Sequence, residues 1–114
     1  MEVICAYLGL EAEISVFSKM NLPIDVVMSA DEWALHICKA IGNVQEYWNP
    51  EGGVGFFDVN KYARNEIGIR FIKLKQTQYF QGELGFEANL SIIDLLMFND
   101  VIKANQLIDE FYFL

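Results

Sequence analysis

The tetrapeptide Ser29-Ala30-Asp31-Glu32, with the apolar residues that follow it, constrains this chain more than any other feature. It has the form of a capping box. The Ser29 hydroxyl is placed to accept the amide of Glu32, and the Glu32 carboxylate to reach back to the amide of Ser29. Trp33, Ile37, Ala40, Ile41, Val44 and Trp48 recur at helical spacing. The pattern predicts a helix from about Ala30 to Tyr47, stopped by Asn49-Pro50-Glu51-Gly52-Gly53.

Other segments read as strands. Val3 to Leu8 is β-branched and aromatic up to Gly9, the pattern of a buried strand. Leu10, Ala12, Ile14 and Val16 alternate with Glu11, Glu13 and Ser15, the period of a half-exposed strand, although Phe17 and Met20 also fit a helical face. Val54 to Val59 is a short strand candidate, and 58–65 a turn or short helix. Residues 67–74 carry apolar groups on both faces, as an interior strand does. Tyr79-Phe80 and Leu84 to Leu90 supply further strand material. Ser91 then caps a second helix, and Phe111 to Leu114 is an apolar tail. These elements predict a single α+β domain over residues 1–114. Its expected form is a mostly antiparallel sheet of four to six strands with two main helices packed on one face.

With 114 residues, 54% of them apolar, the chain can bury one sizeable core. The apolar runs are too short to cross a bilayer, and Met1-Glu2-Val3-Ile4 has no basic cluster of the kind that opens a secretory signal. The expectation is a cytoplasmic protein in which Cys5 and Cys38 are buried free thiols.

The net charge of −8 repels phosphate backbones, so no nucleic-acid partner is expected, and no membrane. The charge is uneven. Residues 1–60 hold nine acids against two bases, residues 61–75 one acid against five bases, and residues 76–114 six acids against one base. The basic island reads as a strand face pairing with acids on its neighbours.

Motifs for chemistry are weak. His36, the only histidine, lies one helical turn after Glu32 and has no nucleophile indicated beside it. His36 and Cys38 are two apart on a helix and diverge too far to share a metal. Gly52-Gly53-Val54-Gly55 lacks the Lys-Ser/Thr that closes a phosphate loop. Glu11 with Glu13, and Asp31 with Glu32, lack the apolar setting that would raise a carboxyl for acid catalysis. No catalytic residue, cofactor or metal is expected, and the chain is read as a non-enzyme.

What remains is collective: acids beside aromatics near turns, the makings of a protein interface. The expected function is an acidic inhibitor of the immunity or antitoxin type. It would neutralise a basic protein partner, such as a cationic bacterial nuclease toxin, by electrostatic steering and aromatic anchoring. Glu11, Glu13, Asp31, Glu32, Glu46, Tyr47, Trp48 and Glu51 are the candidate interface, on a monomer or homodimer. The alternative is a small-molecule-binding or enzymatic α+β domain. Phe56, Phe57, Phe71, Phe80 and Phe86 would then line an apolar pocket, with Arg64 or Arg70 meeting an anionic ligand.

Overall fold

A computed structural model describes all residues, 1–114. The elements run α1 (Glu2–Leu8), α2 (Phe17–Met20), α3 (Glu32–Ile41), β1 (Glu46–Pro50), a 3-10 turn (Glu51–Gly53), α4 (Val59–Ala63), β2 (Gly68–Leu74), α5 (Ile92–Phe98), α6 (Val101–Ile108) and β3 (Phe111–Phe113). The α+β class holds, but the expected sheet does not. Only three strands form, in the order β1-β2-β3. β1 and β2 are parallel, with Glu46 opposite Gly68 and Pro50 opposite Ile72. The bonds from Lys75 N–H to the Glu110 carbonyl and from Leu114 N–H to the Phe71 carbonyl run in the antiparallel sense, so the sheet is mixed. Six α-helices replace the expected two.

Local chemistry explains the differences. Val3 to Leu8 is helical because Gly9 sits in the left-handed region (φ 71°) and closes a helix end. Leu10 N–H reaches the Cys5 carbonyl at 2.9 Å and Gly9 N–H the Ala6 carbonyl at 3.2 Å, the paired bonds of a Schellman cap. α3 stops at Ile41 rather than Tyr47 because Gly42, at φ 74°, turns the chain out and frees 46–50 to become β1. The capping box forms only in part. Glu32 accepts the amides of Met28 (2.8 Å) and Ser29 (3.3 Å), while the Ser29 hydroxyl turns away and donates to Asp31. The expected strands at 10–16, 79–80 and 84–90 are turns and irregular chain, and that at 54–59 is a turn leading into α4 at Val59. The Ser91 cap is present, accepting the Ile93 amide at 3.3 Å. Asn99, in an extended conformation, then breaks the helix, and Asp100 opens α6 by accepting the Lys103 amide at 2.8 Å.

The chain divides into two compact units. The first comprises Met1–Ile14 and Leu74–Tyr112, the second Ser15–Lys73 and Phe113–Leu114. In the first, α1 and α5 pack on α6, and Leu8, Ala104 and Leu107 are buried. The Asn105 amide donates to the Leu8 carbonyl at 2.9 Å, satisfying a group that the end of α1 leaves without an intrahelical partner.

The second unit packs around Leu35, Cys38, Tyr62 and Ile67, with Val44, Tyr47, Phe57 and Ile69 against them. Tyr62 is fully buried, at 0% exposure. Its ring stacks on Tyr47 (5.9 Å, 17°) and meets Phe57 edge-on (5.9 Å, 76°). Its hydroxyl donates to the Asp31 carbonyl at 3.0 Å. Gly53 permits the turn after β1, because a Cβ there would collide with the Asn49 side chain and press on the Phe57 ring.

Candidate functional site

The site begins with a loop that has no regular structure of its own. Residues 75–90 leave β2 and reach α5 without forming a strand. Gln81 holds that loop in place of a ladder. Its amide oxygen accepts Glu87 N–H at 2.6 Å and its amide nitrogen donates to the Glu87 carbonyl at 3.0 Å, the two bonds that a paired strand residue would make. Gly82 (φ 93°) and Gly85 (φ 91°) supply the positive-φ corners between the two ends.

The same Gln81 nitrogen also donates to Asp94 on α5 at 2.7 Å and lies 3.1 Å from the Tyr79 hydroxyl. Tyr79 in turn donates to Asp94 at 2.5 Å. Asp94 therefore ties the loop to the first turn of α5 through two donors. Desolvation, and then the bond to Asp94, push the Tyr79 phenol above its usual range, so it stays protonated and keeps donating.

Beside this clasp the first unit forms a partly open cavity of about 190 Å³. Leu74, Leu90, Ile92, Leu95, Leu107 and Ile108 form its apolar wall. Tyr79 and Phe86, T-shaped at 5.5 Å and 79°, form an aromatic corner. Lys75, Gln76, Thr77, Glu87, Asn89 and Ser91 complete the lining. Several of these polar groups are already engaged: Gln76 with Asn89 at 3.2 Å, Thr77 with Glu110, and Ser91 with the Ile93 amide. Neither the Lys75 ammonium nor the Glu87 carboxylate has an ion-pair partner within the unit. An apolar chamber with a few oriented polar groups at its edge is the usual build of a small-molecule site.

The polar groups of the second unit are locked onto one another. Lys61 bridges Glu32 (2.9 Å), Asp31 (3.1 Å) and the Ser29 hydroxyl (2.9 Å). The Lys61 hydrogen bond, followed by that of the Met28 amide, holds the Glu32 carboxyl down at about 2. Asp31 is lowered chiefly by the Ser29 hydroxyl, against the opposing cost of burial. His36 lies between Asp25 (3.6 Å) and Glu32 (4.0 Å) with no nucleophile beside it. An open cleft lined by His36, Lys39, Lys61, Arg64 and Glu32 lies over this cluster; Lys39 and Lys61 are paired with acids, while Arg64 donates to the Asn60 carbonyl. No three His, Cys, Asp or Glu side chains converge closely enough to hold a metal ion.

The residues expected from the sequence to form an interface are scattered by this arrangement. Asp31 is buried, and with Glu32 it belongs to the Lys61 cluster. Glu46 is bound by Arg70 and the Trp48 indole, and Glu51 by Lys73 at 2.6 Å. Tyr47 turns into the core, while Trp48, 49% exposed, packs on Phe113. Glu11 and Glu13 lie exposed on irregular chain in the first unit and make no ion pair there. The eight residues thus fall into separate groups, and only Glu46, Trp48 and Glu51 place acids beside an exposed aromatic residue. Of the expected pocket phenylalanines, Phe86 lines the cavity. Phe57 and Phe71 pack together at 6.3 Å in the second unit, and Phe80 packs on Phe98.

Sequence reasoning missed Tyr79, Gln81 and Asp94 as one constellation. The only signal was Gln81-Gly82 and Gly85 between aromatic residues, a turn signature, of which Gly85 falls within the segment Leu84 to Leu90 that reads as strand material. No helix is long and apolar enough to cross a membrane.

The family model of the WbqC-like protein family matches residues 1–106. No curated protein and no solved structure matches the chain.

Proposed function

The chain belongs to the WbqC-like protein family, and from that premise we propose that it is a small-molecule-binding α+β domain whose ligand occupies the cavity of the first unit. One observation carries the reading. A partly open chamber of about 190 Å³ is walled by six aliphatic side chains and an aromatic corner, and the Gln81–Glu87 clasp fixes the loop at its edge. Engineered apolar cavities of about 150 Å³ take up benzene. The space therefore suits a monocyclic or short-chain molecule with an apolar body.

The test is a screen of monocyclic fragments against the isotopically labelled protein, read by amide chemical shifts. Binders should move the amides of Thr77, Phe86, Glu87 and Leu95 together. They should lose their effect in Leu95→Trp, which fills the chamber. Shifts that gather instead on Glu46, Trp48 and Glu51 would remove the site from the cavity.

A second reading draws on a different observation. The first unit holds nine acids and two bases, a net −7, and within it no acid is bridged to a base. Such a field favours capture of a basic protein in the cytoplasm, the immunity-type role. Of the acids expected from the sequence, Glu11 and Glu13 are available for it, whereas Asp31, Glu32, Glu46 and Glu51 are paired. Glu11→Lys with Glu13→Lys should slow association with such a partner and weaken its salt dependence. Capture that is indifferent to salt would defeat this reading.

A further inference from the structure

We infer that the cavity of the first unit selects an organic cation: a primary amine or similar ammonium group carried on an apolar body. The inference rests on the cavity reading proposed above and names the ligand class for that site.

The charges around the chamber point one way. Glu87 lines it, and its carboxylate makes no hydrogen bond and no ion pair. Two further carboxylates stand directly behind lining residues. Asp94 accepts the hydroxyl of the lining Tyr79 at 2.5 Å, and Glu110 accepts that of the lining Thr77. Against these three stands one cation of the lining, Lys75. These four groups sum to −2, inside a unit that carries −7. A cleft with low-dielectric walls and one sign of charge concentrates the opposite sign of solute.

The aromatic corner acts in the same direction. Tyr79 and Phe86 both line the chamber with their rings at 79° to each other. An ammonium over a ring face is attracted by the ring quadrupole, and an anion is repelled. The aliphatic walls, Leu74, Leu90, Ile92, Leu95, Leu107 and Ile108, offer no hydrogen bond, and Gln76, Thr77, Asn89 and Ser91 at the edge are bonded to other partners, so the body of the ligand is apolar. An ammonium at the Glu87 edge, with a ring or short chain inside, satisfies all three features. A carboxylate ligand would have Lys75 alone in its favour.

Three isosteric probes separate the possibilities: benzylamine, benzyl alcohol and benzoate. Each is titrated into the intact protein and followed at the amides of Thr77, Phe86, Glu87 and Leu95. Benzylamine should bind roughly tenfold more tightly than benzyl alcohol, the order of a charge-assisted contact added to a cation–π contact. Benzoate should bind most weakly. Glu87→Gln, a change at an exposed side chain that the fold does not use, should bring benzylamine down to the level of benzyl alcohol and leave benzyl alcohol unchanged. Equal binding of benzylamine and benzyl alcohol, or preference for benzoate, would overturn the cation inference and leave the cavity reading standing. If no probe moves these amides, the cavity reading fails, and this inference fails with it.

Discussion

The two units use their charges in opposite ways. The second holds seven acids and six bases, a net −1, and pairs five of the acids with four of the bases. Asp25 meets Lys39 and His36, Lys61 meets Asp31 and Glu32, Arg70 meets Glu46, and Lys73 meets Glu51. The first carries nearly the whole acid excess of the chain and bridges none of it. The second is organised around a buried tyrosine and stacked aromatics, while the first forms a partly open chamber beside a loop pinned by one glutamine. Bulk composition cannot reveal such a partition, since a net charge of −8 describes neither unit. Where charges are matched, the surface is committed to holding the fold. Where they are unmatched and lie beside a cavity, they are available to a ligand.

The comparison can be broken first at the core of the second unit. Tyr62→Ala removes a fully buried ring, two aromatic contacts and the bond to the Asp31 carbonyl. It should destabilise by about 3–5 kcal/mol, read as a fall in denaturant midpoint with unchanged slope. A loss below about 1 kcal/mol would mean that the unit does not rest on this ring.

Next in size is the acid limb of the pH–stability curve. The Glu32 carboxyl stands at about 2 in the folded chain against 4.5 ordinarily, so its protonation is harder when folded. Its stabilising contribution is complete above 4.5 and is lost as the pH falls from there towards 2; Asp31 shifts in the same direction. Thermal melts should therefore decline through that window. Lys61→Met removes the largest cause of the Glu32 shift and should flatten the decline. An unaltered acid limb would place its origin elsewhere.

In the first unit, Asp100→Ala deletes the cap of α6 and should cost about 1 kcal/mol, measured by denaturation and by faster amide exchange over Lys103 and Ala104. The smallest effect is that of salt. Raising the ionic strength screens unmatched acids in the first unit and weakens matched pairs in the second, so amide protection should rise in α6 and fall in α3 by roughly a few tenths of a kcal/mol. Parallel changes in both would erase the distinction between the units.

The sequence disclosed the α+β class, the strand at 67–74, the Ser91 cap and the start of α3, because each rests on a local rule. It hid the rest for local reasons too. Gly9 and Gly42 stop helices by adopting positive φ, and a glycine in a string does not declare its dihedral. The run Val3 to Leu8 satisfies a strand pattern and a short helix equally well, and the Schellman cap decides between them. Asn99 breaks what reads as one long helix, and the break resets its face, so that Ala104 and Leu107 are buried while Ile102 is 73% exposed. The basic island at 61–75 was legible as a pairing face, and Arg70 and Lys73 do pair with acids at and just beyond β1. Legible, too, was the acid excess, but its unpaired part lies mostly outside the residues selected. The clasp of Tyr79, Gln81 and Asp94 depends on loop geometry, for which spacing carries no signal.

That clasp has a consequence for which substitutions the loop tolerates. Its closing bonds run in opposite senses: one terminal atom of Gln81 must accept and the other must donate, to the two halves of the same residue. Nitrogen and oxygen differ by a single proton in the nucleus, yet here that difference orients the wall of the chamber. Glutamate, the same shape and size, offers two acceptors where one donor is required, and it would set a second carboxylate against Asp94, where the Gln81 amide now donates at 2.7 Å. At this position polarity, rather than volume, determines which side chains are equivalent.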